Sequence, residues 1–324
     1  MKNIRLGKRR YSLVAPSEND HYFSTLGDGC DDPFDSLCDA LISDPATSAL
    51  DIGANLGTTA AILSQHLPQG RVYAFEPGPA IFKALQTNLA SNGLDNVTPL
   101  NLAVGETPGS FRFHENSAYG HLTEDSSGTE VTATTVDDFV QKIQFASLDF
   151  IKIDVEGFEQ SVLKGAAETI AKYDPIIQIE FNCWCLVAHS RVNGLDFGKW
   201  LLDNFRYVYL IDRHSYPSTL TRIQKDDAID FVAGNMIRGG AVDDLLLTNN
   251  DQYFPILERM RAAPRGDQQN IQEASHREDQ PGRSQNPSDQ QPSNTGARFT
   301  SGDLIGWREI LRFARRRILE HLRS

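Results

Sequence analysis

The feature that most constrains the fold is a regular alternation of short apolar segments and amphipathic segments between residues 45 and 250. Residues 48–52 and 71–75 have the pattern of strands, and residues 58–66 and 79–91 have the pattern of helices. Strands separated by helices of about ten to fifteen residues form βαβ units, whose strands run parallel. The chain is therefore predicted to have an α/β fold.

The rest of the alternation predicts how the sheet ends. Residues 150–153 and 176–181 continue the strand pattern, and residues 207–211 and 229–233 are the last predicted strands. Two adjacent strands without a helix between them favour an antiparallel edge. We expect a mostly parallel sheet with helices on both faces and an antiparallel edge. A small antiparallel insertion is predicted from the segments 110–114 and 130–135.

The flanking segments differ from this body in composition. Residues 1–44 are interpreted as a helical lead-in, and residues 263–300 are rich in Gln, Asn, Ser, Pro, Asp and Arg. Such a composition predicts a disordered linker. Residues 301–324 return to a helical pattern, with an apolar stripe opposite a basic face. This helix either docks on an anionic membrane or a partner's groove, or folds back onto the body.

Composition excludes several classes of protein. The formal net charge of −12 repels phosphate backbones and argues against nucleic acid as a partner. Four cysteines are too few for a disulfide scaffold in 324 residues, and we interpret them as free thiols. There is no secretory signal, nor an apolar run of the roughly 18–20 residues that a membrane span requires. We expect a cytoplasmic protein, peripheral to the inner face of the membrane if the C-terminal helix docks there.

The end of the first predicted strand has the residues of a ligand-binding turn. Gly53 and Gly57 permit a tight turn and a close backbone approach, and a helix begins just after them. A dinucleotide fingerprint would have glycine in place of Asn55 and Thr58, so NAD binding is disfavoured. Asp51, before the turn, suits a cationic ammonium or sulfonium group.

The next two strand ends predict a nucleoside site. Glu76 follows Gly53 by 23 residues, which is the spacing of an acid that accepts hydrogen bonds from ribose hydroxyls. Ala103 and Val104 are small apolar residues that could pack against a flat adenine. A plain exit from the strand explains Ala103 and Val104 equally well.

Carboxylates also end the last two parallel strands. Asp154 and Glu180 follow apolar runs and are expected at the same edge of the sheet. Together they could hold a divalent cation or the hydroxyls of a substrate. With no clear third ligand, we assign no metal site. Glu159 is interpreted as a solvated acid in the first turn of the following helix.

Five motifs in order resemble the FkbM family of S-adenosylmethionine-dependent methyltransferases. They are Asp-Ile-Gly-Ala-Asn-Leu-Gly from residue 51, Phe-Glu-Pro from 75, Asn-Leu-Ala-Val-Gly from 101, Ile-Lys-Ile-Asp-Val-Glu-Gly-Phe-Glu from 151 and Ile-Glu-Phe-Asn from 179. The resemblance covers roughly residues 45–185. It implies a class I methyltransferase fold, which is Rossmann-like with a seven-stranded sheet, and O-methylation of a sugar, glycan or natural-product hydroxyl.

The resemblance also implies roles for individual residues. The methionine end of the cofactor would lie on Gly53, Asn55 and Gly57, beside Asp51. Glu76 would bind the ribose, and Asp154 would lie near the sulfonium and the acceptor. The acceptor pocket is expected between residues 110 and 135 and after Asn182.

A hydroxyl acceptor must lose a proton, which requires a general base or a metal. Asp154 and Glu180 are the best-placed candidates. Four histidines in the variable regions are further candidates: His114, His121, His189 and His214. Among them His214 ranks first, because it closely follows a predicted strand.

Two other functions compete with this one. Nucleobase amino-methyltransferases have an Asn/Asp-Pro-Pro-aromatic loop after the fourth strand, where this chain has Asp-Val-Glu-Gly. A catalytically inactive scaffold would work through the C-terminal helix and would have no need of Asp51, Glu76 and Asp154 together. Binding of S-adenosylmethionine distinguishes the enzyme from the scaffold.

Overall fold

The computed structural model of the protein describes residues 1–17, 20–115, 120–123, 128–237 and 242–261. The predicted linker at 263–300 and the predicted helix at 301–324 lie outside the described residues. Within the described ranges, no helix combines the length and the apolar character needed to cross a bilayer.

The strands, in chain order, are β1 (Lys2–Leu6), β2 (Arg9–Leu13), β3 (Ser48–Ile52), β4 (Arg71–Phe75), β5 (Val97–Leu100), β6 (Ala103–Val104), β7 (Gly109–His114), β8 (His121–Thr123), β9 (Thr129–Thr134), β10 (Leu148–Ile153), β11 (Ile176–Asn182), β12 (Tyr207–Ile211), β13 (Leu220–Arg222) and β14 (Val242–Thr248). The α-helices are α1 (His21–Thr25), α2 (Asp32–Leu41), α3 (Thr58–His66), α4 (Pro79–Ser91), α5 (Val136–Ile143), α6 (Glu159–Lys164), α7 (Ala167–Tyr173), α8 (Cys183–Ser190), α9 (Gly194–Asn204), α10 (Ala228–Ile237) and α11 (Phe254–Arg259).

The central sheet has the strand order β13-β12-β14-β11-β10-β3-β4-β5. Strands β5, β4, β3, β10 and β11 run parallel, and β14 pairs antiparallel with both β11 and β12. The predicted α/β class, the mostly parallel sheet and the antiparallel edge are confirmed. The sheet has eight strands rather than seven, because the three-residue β13 adds to its edge.

The predicted strand at 229–233 is wrong, because this segment lies inside helix α10. Its buried residues Ala228, Val232 and Asn235 recur at steps of four and three, which is helical spacing. The strand that pairs with β11 and β12 is instead β14, where Leu245, Leu246 and Leu247 are buried in succession. A strand covered on both faces shows such a continuous apolar run.

Two apolar clusters cover the two faces of the central sheet. Neighbouring residues of one strand belong to opposite clusters: Phe150 packs on one face and Ile151 on the other. Helices α2, α3 and α4 contribute to the first cluster, and α6 and α9 contribute to the second. Helices on both faces leave the carboxyl ends of the parallel strands as the open edge, where ligands bind in folds of this type.

The predicted antiparallel insertion is confirmed as part of a separate four-stranded sheet with the order β6-β9-β7-β8. Strands β7 and β9 pair antiparallel. Phe113, Val131 and Ala133 pack with Ala103 into a small apolar cluster of its own. The insertion therefore carries its own core beside the central sheet.

The lead-in begins with a hairpin of β1 and β2 rather than with a helix, and α1 and α2 follow it. Alternate residues such as Leu6, Tyr11 and Leu13 are buried against the body, which is the two-residue period of a strand. The side chain of Asn88, which is 3% exposed, accepts from the N–H of Val14 and donates to its carbonyl. Asn88 also donates to the carbonyl of Leu56 in the glycine turn, at 2.9 Å.

We expect Asn88→Ala to destabilise the fold by about 3 kcal/mol, because it leaves buried backbone groups without partners. Thr87→Ala, on the exposed side of the same helix, is the matched control and should change stability little. Urea denaturation of both variants measures the difference. Equal stabilities would contradict the anchoring role of Asn88.

Candidate active site

The turn between β3 and α3 has a strained backbone that brings it against the neighbouring strand. Gly53 and Gly57 have φ of 88° and 89°, and Asn55 has φ of 49°. A Cβ at residue 53 would overlap the carbonyl oxygen of Asp154, so only glycine fits there. The glycine turn and the end of β10 are therefore in direct backbone contact.

Glu76, at the end of β4, is 5% exposed and faces this turn. Its Oε2 accepts the N–H of Asn55 at 3.0 Å, and its Oε1 accepts the N–H of Gly78 at 2.8 Å. Burial raises the pKa of Glu76 to about 7, although the two N–H groups oppose the shift. Each carboxylate oxygen retains a lone pair that can accept a hydrogen bond from a ribose hydroxyl.

Asp51 and Lys152 are direct neighbours in the register of β3 and β10, and both are buried. The Thr59 hydroxyl donates to Oδ2 of Asp51 at 2.7 Å, whereas Oδ1 is buried without a hydrogen-bond partner. Nζ of Lys152 lies 3.0 Å from Oδ2 of Asp154. Burial alone would lower the pKa of Lys152, but Asp154 and Asp51 outweigh it and raise that pKa. Lys152 is therefore a charged group at neutral pH.

Three carboxylates meet at the ends of β10 and β11. One carboxylate oxygen each from Asp154, Glu156 and Glu180 lies within 4.8 Å of the others. Burial, and then the charge of Asp154, raise the pKa of Glu156 to about 8 and the pKa of Glu180 well above its usual value. Nη2 of Arg213 lies 3.5 Å from Glu180. We call Asp154, Glu156 and Glu180 the carboxylate cluster.

Sequence reasoning missed Glu156 and Lys152. Glu156 lies beyond the end of the strand and joins the cluster because its backbone adopts a φ of 51°. Lys152 is two residues before Asp154, so the alternation of a strand places both side chains on the same side. This spacing could have predicted their contact.

The histidines divide into two groups. His214 is exposed and its backbone N–H donates to Asp212, and it is the neighbouring Arg213 that reaches Glu180. His189, on α8, lies nearer the cluster, with Nδ1 2.7 Å from the carbonyl oxygen of Glu156. His121 stacks on His189 with 3.8 Å between ring centroids, and His114 stacks on His121 at 5.8 Å.

Two other predicted residues lie in the interior. Ala103 and Val104 are buried and pack into the core, and their contact with adenine stays a prediction. Glu159 is not solvated as expected, because it is fully buried. Its Oε1 accepts the N–H groups of Val155 and Gly157 and so holds the loop that carries Glu156.

The mostly parallel sheet with helices on both faces and an antiparallel edge is the fold of a class I methyltransferase. Residues 51–191 match the family model described as "Methyltransferase FkbM domain". This segment, which is less than half of the chain, is similar to the FkbM family, and the protein is an S-adenosylmethionine-dependent methyltransferase.

Two curated relatives have names that describe the reaction they catalyse. The hexuronic acid methyltransferase AglP of Haloferax volcanii is 26% identical over 57% of this chain and 68% of its own length. The 2-O-methyltransferase NoeI of Sinorhizobium fredii is 27% identical over 41% of this chain and 63% of its own length. An FkbM methyltransferase structure from Methylobacillus flagellatus is 20% identical, with a TM-score of 0.39 over 63% of this chain and 44% of its own.

The described residues fit the cofactor. The unpartnered oxygen of Asp51 suits a cation, and the N-terminus of α3 after Gly57 suits a carboxylate. Glu76 is placed to accept the ribose hydroxyls. The sites of individual atoms of the cofactor stay predictions.

We expect the affinity for S-adenosylmethionine to fall several-fold between pH 8 and pH 6. Burial raises the pKa of Glu76 to about 7, so this carboxylate, which we predict to accept the ribose hydroxyls, gains a proton in this window. Calorimetric titration across this range measures the effect.

The pH profile of the wild type is compared with that of Glu76→Gln. Every other titrating group is present in both proteins, so a difference between the two profiles comes from Glu76. The affinity of the variant should be lower at pH 8, and its pH dependence should be flatter. Parallel pH profiles for the two proteins would contradict the ribose role of Glu76.

Proposed function

We propose that the protein transfers a methyl group from S-adenosylmethionine to a hydroxyl group of a sugar. The carboxylate cluster beside the glycine turn carries this proposal, because a hydroxyl must lose a proton during methylation. The two relatives, one named as a hexuronic acid methyltransferase and the other as a 2-O-methyltransferase, support a sugar acceptor.

The reaction places demands on the chain that its residues can meet. The bound cofactor supplies a methyl group on a positively charged sulfur. The protein has to hold the acceptor oxygen in line behind that methyl group and receive its proton. Because Gly53 packs on the backbone of Asp154, the cofactor turn and the carboxylate cluster have a fixed relative position.

Glu180 is the member of the cluster that we propose as the general base. Asp154 is engaged by the ammonium group of Lys152 at 3.0 Å, so this carboxylate already has a partner and serves to orient rather than to receive the proton. Burial raises the pKa of Glu180, so its ionised form is a stronger base than an ordinary glutamate. Asp154 and Glu156 then orient the hydroxyl group beside it.

The acceptor pocket is proposed to lie between the small sheet and α8. The stacked rings of His121 and His189 join these two segments beside Glu156. Trp184, close after Glu180 on α8, is 43% exposed. A large exposed aromatic ring near the site offers an apolar surface for one face of a sugar ring.

The carboxylate cluster also has the oxygen donors that a divalent cation requires. Lys152 and Arg213 already pair with two of its three members, however. We therefore propose proton transfer without a metal.

The function is tested by incubating the protein with S-adenosylmethionine and a panel of hexoses and hexuronic acids. We expect a methyl ether on one hydroxyl, detected by mass spectrometry and located by NMR. The control is the same sugar with that hydroxyl replaced by hydrogen, which should not be methylated. Methyl transfer to amines alone would contradict the proposal, and cofactor binding without turnover on any acceptor would favour a binding protein.

We expect Glu180→Gln to lower kcat by about 10²–10⁴-fold, since it removes the general base. In the wild type, kcat should rise with pH as Glu180 loses its proton, and the variant should lack this rise. Cofactor affinity should stay within about twofold, in contrast to Glu76→Gln. A kcat close to wild type would contradict the assignment, and loss of activity in EDTA would show that the cluster binds a metal.

A further inference from the structure

A short segment ahead of the family match, residues 20–31, reaches the glycine turn. Helix α1 begins after Asp20, whose side chain accepts the N–H of Phe23. Asp31 immediately precedes α2. The family match covers residues 51–191, and the sequence motifs also begin at residue 51. They therefore assign no function to residues 20–31.

The segment contacts the residue that opens α3. Thr58 is the first residue of this helix, directly after Gly57, and is 4% exposed. Its hydroxyl is close enough to the carboxylate of Asp31 to lower the pKa of that group. The phenol oxygen of Tyr22 lies 3.5 Å from the same hydroxyl. Tyr22 and Asp31 therefore form a wall over the N-terminus of α3.

Two carboxylate oxygens beside this wall are buried without hydrogen-bond partners: Oδ2 of Asp31 and Oδ1 of Asp51. They lie in different parts of the chain, and the negative charge of Asp31 contributes to raising the pKa of Asp51. Burial raises the pKa of Asp31, and Thr58 and Lys152 oppose the shift. A buried carboxylate oxygen without a donor is costly unless a ligand supplies one.

The charges around these two oxygens determine which charge a ligand group should carry. Asp51 and Asp154 lie next to the ammonium group of Lys152, and Asp31 is close enough to be influenced by its charge. The excess is negative, so a cationic group stabilises the site. The backbone N–H groups at the start of the nine-residue α3 favour an anion at a neighbouring point.

We propose that Asp31 is a cofactor-binding residue whose carboxylate accepts hydrogen bonds from the α-ammonium group of S-adenosylmethionine. The α-carboxylate of the same methionine moiety then lies at the N-terminus of α3. Tyr22 closes the wall beside Thr58. The amino-acid end of the cofactor thus connects the lead-in with the family domain. Its ammonium group meets a carboxylate, and its carboxylate group meets the backbone N–H groups at the start of α3.

This inference rests on the cofactor of the protein and is independent of the sugar acceptor. The test compares two ligands, S-adenosylhomocysteine and 5′-methylthioadenosine, which lacks the amino-acid end. Each is titrated calorimetrically into the full-length wild type, Asp31→Asn, Asp39→Asn and Glu76→Gln. Asp39 pairs with Lys8 on an exposed part of α2, and its variant controls for the loss of one negative charge. Thermal unfolding of each variant checks that it is folded.

We expect Asp31→Asn to weaken S-adenosylhomocysteine at least tenfold and 5′-methylthioadenosine by less than twofold. Asp39→Asn should bind both ligands as the wild type does, and Glu76→Gln should weaken both. An unchanged affinity of folded Asp31→Asn for S-adenosylhomocysteine would overturn the proposal. An equal loss for both ligands would also overturn it, because Asp31 would then support the pocket as a whole. Should Asp31→Asn prevent folding, the same two ligands and criteria apply to Asp31→Glu, which keeps the charge but displaces it.

Discussion

The site depends on one buried ammonium group, that of Lys152. Asp51 and Asp154 lie on either side of it, one at the neighbouring register position and one at 3.0 Å. These two carboxylates repel each other, and the lysine charge offsets part of that repulsion. Removing one partner from a buried ion pair typically destabilises a protein by about 3–5 kcal/mol. The glycine turn and the carboxylate cluster thus share this counter-ion, and Arg213 supplies a second positive charge beside Glu180.

The lead-in is a structural part of the enzyme domain, although the family match begins only at residue 51. Asn88 ties the hairpin to both α4 and the glycine turn, and Asp31 reaches the start of α3. These contacts link residues that are about 27 to 74 positions apart in the chain. The stability of the glycine turn therefore depends on the lead-in being folded against it.

The parts of the fold that the sequence predicts are those with a strict local period. The parallel strands were found because their apolar runs end in a glycine or an acid, as at Asp51, Glu76 and Asp154. The hairpin was missed because its two strands are five residues long and strongly basic, so their alternation is weak. Helix α10 was taken for a strand because Ile229 and Phe231 resemble a strand pair, although Ile229 is exposed.

A site residue could be predicted when it lies at the end of a predicted strand. It could not be predicted when its role depends on a contact with a distant part of the chain. Lys152 acquires its role from Asp51 on another strand. Asp31 approaches Thr58 only in the folded chain. The preference for His214 rested on its position after a strand, and His189 lies nearer the carboxylates because α8 returns over Glu156.

The small sheet has a core of its own, and the stacked rings of His121 and His189 connect it to α8. The residues of the small sheet that we propose to line the acceptor pocket therefore lie between β6 and β9 in the chain. The strands of the central sheet lie outside this stretch. This stretch contains none of the strands that carry or precede Asp51, Glu76 and Lys152. For protein engineering, this makes the insertion a module: a chimera that keeps the central sheet and imports a new β7–β8 hairpin should retain its methyl donor while changing its acceptor.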